Sequence, residues 1–245
     1  MLLKITLGLI LLLSLLANIG AFLLIKHLYL NTNLVRLDPL QLNTYQQEAP
    51  VKLTNSKRVV FFGDSRALSW PAPKSPVFAE FEFINRGIGN QTSEQIRLRY
   101  EKHVAPLNAD IIVLQLCVND LKVIPLKPAL RTSIVSQCKN NVLEIIHKAR
   151  QQGTTVILST VFPLGAVPLE RKLLWSDDVA ASINEVNEFI MTQAKEDVVI
   201  FDSYQILSGQ KDRIRPEYSQ DLLHLNDRGY DVLNQKLSER LISMK

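Results

Sequence analysis

The chain has 245 residues, 47% of them hydrophobic and 21% charged, which is enough for one large domain or two small ones and excludes disorder over most of its length. The 28 Lys and Arg against 24 Asp and Glu leave a net charge of only +4 with both signs interspersed, which excludes the basic surface that nucleic-acid binding needs. Two cysteines without CxxC spacing and four scattered histidines exclude a disulfide scaffold and predict no metal site.

The first predicted element is apolar. Residues 5–25 contain no charge and are long enough to cross about 30 Å of hydrocarbon as a helix. A cleaved signal peptide, with Lys4 as its positive region, is the alternative. We favour an uncleaved anchor over residues 1–27, because the apolar stretch is longer than the roughly 7–15 residues of a signal peptide and continues past Ala21. Charges lie on both sides of it and do not set its orientation.

Residues 28–56 mix Asn, Gln, Thr and Pro with isolated leucines and show no sustained period. This composition predicts a stalk that joins the anchor to a domain over residues 57–245. No internal repeat is present.

From residue 57 onward, short apolar runs alternate with helical stretches. Buried strands are predicted at residues 59–62, 81–84, 111–114, 156–158 and 198–201. Helices are predicted at residues 93 to about 103, 132–152, 176–195 and 226–243. This alternation predicts the α/β class, as a three-layer α/β/α sandwich with a parallel sheet of about five strands.

Polar residues follow the predicted strands at the sheet edge where α/β proteins place reactive groups. They are Gly-Asp-Ser at 63–65, a glycine-punctuated turn at 85–92, Cys-Val-Asn-Asp at 117–120, and a His-containing segment at 221–226. Each block alone is also typical of an ordinary turn or helix cap. Together they supply the hydroxyl, imidazole, carboxylate and amide donors that acyl transfer needs.

The four blocks, in this order, resemble those of the SGNH (GDSL-type) hydrolase superfamily over roughly residues 57–235, and the chain is similar to a membrane-anchored bacterial member. The resemblance implies a flavodoxin-like fold with Ser65 as the nucleophile, His224 as the general base and acid, and Asp221 as the residue that orients His224. No metal or organic cofactor is implied.

The resemblance also implies a set of oxyanion donors: the Ser65 backbone amide, the Asn119 side-chain amide and a backbone amide of the second block. The family often has Gly-Gly in that block, where this chain has Gly89-Asn90. The donor therefore falls on Asn90, or on Gly89 if the turn shifts by one residue. Asn accepts the positive φ of such a turn better than most residues.

A second departure from the family is Cys117, which stands in place of a glycine. It could fill space beside the pocket or narrow it, and we do not expect a nucleophile because no second histidine is placed to activate it. A disulfide with Cys138 in an oxidising compartment is a further alternative.

Arg66 and Trp70 are candidates for substrate binding, the first for an anionic substrate and the second as a pocket wall. Their alternatives are a covered helix face and a plain rigid loop.

The leading functional hypothesis is a serine ester hydrolase of esterase or lipase type that acts through an acyl-enzyme. A carbohydrate O-acetyl esterase is one form of this hypothesis. The second is an O-acyltransferase on a cell-envelope polysaccharide that uses the same residues. The third is a catalytically degenerate binding protein, against which the intact blocks argue. Expected partners are a small-molecule or glycan ester and the membrane, with the domain extracytoplasmic. The acyl length, protein partners and oligomeric state stay open.

Overall fold

The computed structural model describes residues 1–45, 50–74 and 78–244. Residues 46–49 of the predicted stalk, and residues 75–77 and 245 of the predicted hydrolase domain, lie outside the described residues. The chain divides into two compact units, Met1–Asn43 and Thr44–Lys245.

The first unit consists mainly of helix α1 (Leu2–Leu37). Within the described residues it is the one helix long and apolar enough to cross a membrane, with a mean hydropathy of 2.5, and a signal sequence near an N-terminus shares these properties. The helix continues beyond residue 27, where a linker was predicted, and reaches Leu37. It ends before Pro39, whose ring disfavours helical geometry at Asp38.

The second unit is built on a parallel sheet in the order β2-β1-β3-β4-β5. Its strands are β1 (Lys57–Gly63), β2 (Phe81–Gly87), β3 (Ile111–Gln115), β4 (Thr155–Ser159) and β5 (Val198–Phe201). The predicted number of strands and their parallel pairing are confirmed. The order of the strands changes direction between β1 and β3, because β2 lies on one side of β1 and all later strands lie on the other. Ligands of such sheets bind at the carboxyl ends of the strands at this point.

The helices of this unit are α2 (Ser65–Leu68), α3 (Ser93–Leu98), α4 (Tyr100–His103), α5 (Val118–Leu121), α6 (Arg131–Gln151), α7 (Asp178–Met191), α8 (Ser203–Leu207) and α9 (Asp227–Ile242). The helix predicted over 93–103 is broken at Arg99, and Thr92 begins it with a capping box. Asn226 caps α9, as predicted, by accepting a hydrogen bond from the Gly229 amide.

Two hydrophobic cores lie on opposite faces of the sheet, because successive strand residues point to opposite sides. Val60 and Phe62 belong to the core that includes side chains of α6 and α7. Val59 and Phe61 belong to the core that includes side chains of α9. The three-layer α/β/α architecture is therefore confirmed.

Candidate active site

Ser65 is the first residue of α2, directly after the turn that ends β1. Gly63 has φ of 157°, and a Cβ atom there would lie 1.8 Å from the Gln115 carbonyl oxygen, so only glycine fits. Asp64 caps the helix by accepting a hydrogen bond from the Arg66 amide at 2.9 Å. The tight turn thus places the serine at the carboxyl edge of the sheet, at the N-terminus of a helix.

His224 lies within hydrogen-bond distance of this serine, although 159 residues separate the two. The distance from Ser65 Oγ to His224 Nε2 is 3.0 Å, and His224 Nδ1 lies 2.8 Å from Asp221 Oδ2. Asp221 Oδ1 also accepts the backbone amides of Leu223 and His224 at 2.7 and 2.8 Å. When the neutral ring donates from Nδ1 to the carboxylate, Nε2 is left to accept the serine proton. The three predicted residues therefore form one hydrogen-bonded line.

The charge of Asp221 is retained in this line. Partial burial by itself raises the pKa of Asp221, but the hydrogen bonds from the His224 ring and from the Leu223 and His224 amides outweigh it and leave that pKa below its usual value. The carboxylate therefore stays ionised and favours the tautomer of His224 that carries its proton on Nδ1.

Arg66 connects the serine turn to the histidine loop. Its Nε donates to the Leu223 carbonyl at 2.8 Å, and its guanidinium lies 5.0 Å from the centre of the Phe162 ring. Burial lowers the pKa of Arg66 to about 10. The side chain is fully buried, which leaves no exposed guanidinium for an anionic substrate and agrees with the alternative that Arg66 covers the helix. Arg66 instead holds Leu223, the residue before His224, close to the serine turn.

The structure also corrects the prediction for Trp70, which lies in the core rather than in a pocket wall. Its indole nitrogen donates to Asn234 Oδ1 at 2.8 Å, which ties the loop after α2 to α9. The ring packs against four aromatic neighbours: Phe61, Phe162, Phe201 and Tyr230. Helix α2 is only four residues long, so the chain turns back toward the core before it reaches this tryptophan.

The second block packs closely against the serine turn. The Ile88 amide donates to the Gly63 carbonyl at 3.0 Å, and a Cβ atom on Gly87 would lie 2.1 Å from the Leu68 nitrogen. Asn90 is exposed and adopts the left-handed conformation, with φ of 62°. This is the conformation for which asparagine is the best substitute for glycine.

The third block reaches the same edge because Gly63 and Gln115 are register partners in β1 and β3. Asn119 is buried, and its Nδ2 donates to the Gln91 carbonyl at 2.9 Å. An amide nitrogen carries two hydrogens, so this bond orients Asn119 and leaves one for another acceptor. Asp120 accepts bonds from the amide and hydroxyl of Ser93 at 2.8 and 2.7 Å, which joins this block to the start of α3.

Cys117 forms a disulfide with Cys138 of α6, with the two Cα atoms 5.9 Å apart. The disulfide is therefore the alternative that the structure shows, and Cys117 is fully buried. Its φ of 87° lies in the left-handed region, which explains why glycine is the family's residue there. The cross-link thus anchors the backbone two residues before Asn119.

Arg99 is a positioning residue that the sequence analysis missed. Its guanidinium donates to the Gly63 and Arg86 carbonyls, both at 2.8 Å, and to the side chain of Gln91. Burial lowers the pKa of Arg99 to about 9. The residue therefore joins the first and second blocks from beneath. An arginine in a predicted helix carries no sequence signal for this role, because its burial depends on the break in that helix.

Comparison with known proteins agrees with the fold. Similar solved structures include a GDSL-like lipase from Bacteroides thetaiotaomicron VPI-5482, with 23% identity over 85% of this chain and 97% of that chain and a TM-score of 0.64. A lipase/acylhydrolase from Enterococcus faecalis has 19% identity over 77% and 96%, with a TM-score of 0.56. An acetyl xylan esterase has 22% identity over 75% and 99%, with a TM-score of 0.58.

At these identities the structural likeness shows the fold alone, and no curated protein matches the sequence. The sequence pattern of the GDSL-like lipase/acylhydrolase family matches residues 60–232. That stretch contains the serine turn, both loops of the middle blocks and the histidine loop. The chain therefore belongs to the GDSL-like lipase/acylhydrolase family and is a hydrolase of ester bonds.

Proposed function

We propose that the protein cleaves its ester through a covalent acyl-enzyme on Ser65, with His224 as general base and acid and Asp221 as its orienting partner. The observation that carries this proposal is the hydrogen-bonded line from Ser65 Oγ to His224 Nε2 at 3.0 Å and from His224 Nδ1 to Asp221 at 2.8 Å. Nucleophile, base and orienter in contact are the signature of an activated serine.

In the proposed reaction, Ser65 Oγ attacks the ester carbonyl while His224 Nε2 takes the hydroxyl proton. The resulting imidazolium is stabilised by the Asp221 carboxylate. Collapse of the tetrahedral intermediate breaks the bond to the alcohol oxygen, which leaves with the proton from His224. A water molecule then attacks the acyl group with His224 again as base, and Ser65 recovers its proton as the carboxylic acid departs.

The negative oxygen of each tetrahedral intermediate needs donors that are already in place. We propose the backbone amides of Ser65 and Asn90 and the second Nδ2 hydrogen of Asn119. Gly89 is the less favoured donor, because the left-handed residue of the turn is Asn90. The buried position of Asn119 and its bond to Gln91 support this assignment, because together they hold the side chain in one orientation.

Asn119→Ala is expected to lower kcat on a soluble activated ester by about 10² to 10³, as loss of one oxyanion donor does. The measurement is steady-state hydrolysis, with circular dichroism as the test of folding. Asn140→Ala, at an exposed position on α6, is the matched control and should retain the kcat of the wild type. An unchanged kcat in folded Asn119→Ala would remove this residue from the proposed oxyanion site.

The acyl-enzyme is tested directly by labelling the full chain with a fluorophosphonate probe, followed by peptide mass spectrometry. The probe is expected on Ser65, with loss of esterase activity in proportion to labelling. Labelling of another residue, or an active enzyme after complete labelling of Ser65, would contradict the proposed intermediate. Absence of labelling and of hydrolysis would instead support a degenerate binding protein.

The substrate class is proposed as a small-molecule or glycan ester. The similar acetyl xylan esterase supports the glycan alternative. An O-acyltransferase would use the same residues with a sugar hydroxyl in place of water. Acetate release from acetylated glycans, compared with transfer to added glycan, distinguishes these activities, and the absence of both with rapid hydrolysis of small esters would exclude the glycan alternatives.

We also infer that residues 1–27 anchor the chain in a membrane, that residues 28–56 link this anchor to the hydrolase domain at 57–245, and that the domain lies outside the cytoplasm. The exposed apolar helix supports the anchor. The Cys117–Cys138 disulfide supports the compartment, because such bonds persist in oxidising environments. Protease added to intact cells should cleave the domain, and full protection would contradict this topology.

A further inference from the structure

Two segments at the carboxyl edge of the sheet expose leucine side chains to solvent. They follow the adjacent strands β3 and β4 and comprise residues 122–131 and 169–174, which we call the leucine edge. Leu173 is 95% exposed and Leu169 is 79% exposed. Leu126, Leu130 and Leu174 are each more than half exposed. Single exposed leucines need no explanation, but such a group on two neighbouring segments indicates an interaction surface.

The leucine edge borders the proposed active site. The first segment begins directly after α5, which carries Asn119 of the proposed oxyanion site. Arg171 and Asp221 line the same cavity. The Ile124–Leu126 turn also packs against α7, which follows the second segment in the chain. Each segment therefore lies next to an element that carries a residue of the proposed active site.

The charges of the leucine edge complement an anionic partner. Residues 122–131 contain three basic side chains and no acidic one, although Arg131 already pairs with Glu185 of α7 at 3.0 Å. Residues 169–174 contain two basic side chains and one acidic one. Exposed leucines interleaved with Lys and Arg are the composition of surfaces that bind anionic lipid bilayers, where the apolar groups enter the acyl boundary and the cations meet the headgroups.

We propose that the leucine edge docks on the surface of an anionic bilayer and so presents the Ser65 site to esters held in the membrane. A second copy of the chain is a poorer occupant, because a symmetric contact would bring like charges together. The same chain carries a helix apolar enough to cross a membrane, which supports a lipid partner. The docking itself goes beyond the proposed function, whereas the access of membrane esters to Ser65 rests on it.

Docking is tested on the full chain reconstituted in vesicles of phosphatidylcholine, with and without phosphatidylglycerol. Leu126→Cys and Leu173→Cys each carry an environment-sensitive fluorophore, and the native cysteines do not react because they form a disulfide. Met191→Cys is the matched control, because Met191 is 49% exposed and ends α7 ahead of β5, at the opposite edge of the sheet.

We expect a blue shift and quenching by acyl-chain nitroxide lipids at positions 126 and 173 in the anionic vesicles, and neither change at position 191. Equal emission at all three positions would overturn the proposal. A shift that depends on protein concentration, and not on phosphatidylglycerol, would assign the leucine edge to a second copy and also overturn it.

Access of membrane esters is tested with Leu126→Asp/Leu173→Asp, compared with Met191→Asp. We expect the double variant to hydrolyse a vesicle-embedded ester at least about tenfold more slowly, because burial of even one leucine contributes about the free energy of a tenfold change. Its kcat on a soluble ester should match the wild type. If the double variant hydrolyses both esters as fast as Met191→Asp does, this role of the leucine edge is refuted. Lipid insertion by a wild type that hydrolyses neither ester would refute the proposed function and leave the docking intact.

Discussion

Ser65→Ala is expected to lower kcat on a soluble activated ester by about 10⁴-fold or more, because no other group in the line can form the acyl bond. Ser65 Oγ bonds to His224, whose side chain is one-third exposed and can bond to water instead. The free energy of unfolding should therefore change by less than about 1 kcal/mol. Hydrolysis and denaturant unfolding of the full chain measure the two effects.

The matched control for this variant is Ser133→Ala, at an exposed position on α6. It should hydrolyse the ester at the rate of the wild type and still react with a fluorophosphonate, whereas Ser65→Ala should not react. Wild-type activity in Ser65→Ala would falsify the acyl-enzyme on this residue.

Loss of the Cys117–Cys138 cross-link is expected to have the largest effect on stability. The bond closes a loop across a sequence separation of 21 residues, and removal of such a loop closure costs about 3 kcal/mol in the free energy of unfolding. The free energy of unfolding should fall by about 1 kcal/mol less in Cys117→Gly/Cys138→Ala than in Cys117→Ala/Cys138→Ala. Glycine adopts the left-handed backbone of position 117 without the steric cost that alanine carries. Denaturant unfolding measures both double variants.

The same pair of variants tests whether the cross-link positions Asn119. We expect the alanine variant to show the lower kcat, because strain at residue 117 is relieved by movement of the segment that carries Asn119. Cys138→Ala alone controls for the cavity in α6. Equal stability of the wild type with and without reductant, with the bond shown to be reduced, would contradict a stabilising role for the disulfide.

Much of the sheet was predictable because a parallel strand buried on both faces is a continuous apolar run. The strand over residues 81–87 gave a weaker pattern, since it lies at the sheet edge and contains Glu82, Asn85 and Arg86. Helices of four residues, such as α2 and α5, were not predictable because they are about one turn long and show no period. The break at Arg99 follows from tertiary hydrogen bonds that a helical period does not contain.

The blocks that carry Ser65, Asn119 and His224 were predictable because each lies at the end of a strand or before a helix cap. The environment of Arg66 was not predictable. A rotation of about 100° per helical residue decides whether a side chain next to the nucleophile faces solvent or the core. That choice depends on Leu223 and Phe162, which are more than 90 residues away. The proximity of Cys117 and Cys138 likewise depends on how α6 packs.

The Arg66–Leu223 hydrogen bond spans a sequence separation of 157 residues and joins an early part of the chain to a late one. A nascent polypeptide acquires its serine turn first but lacks an imidazole partner until residue 224 has been synthesised and has docked. In the proposed mechanism, ester cleavage therefore requires this late segment of the chain, and fragments that stop short of the loop should be inert. The order in which the chain is made thus places the assembly of the proposed catalytic line last.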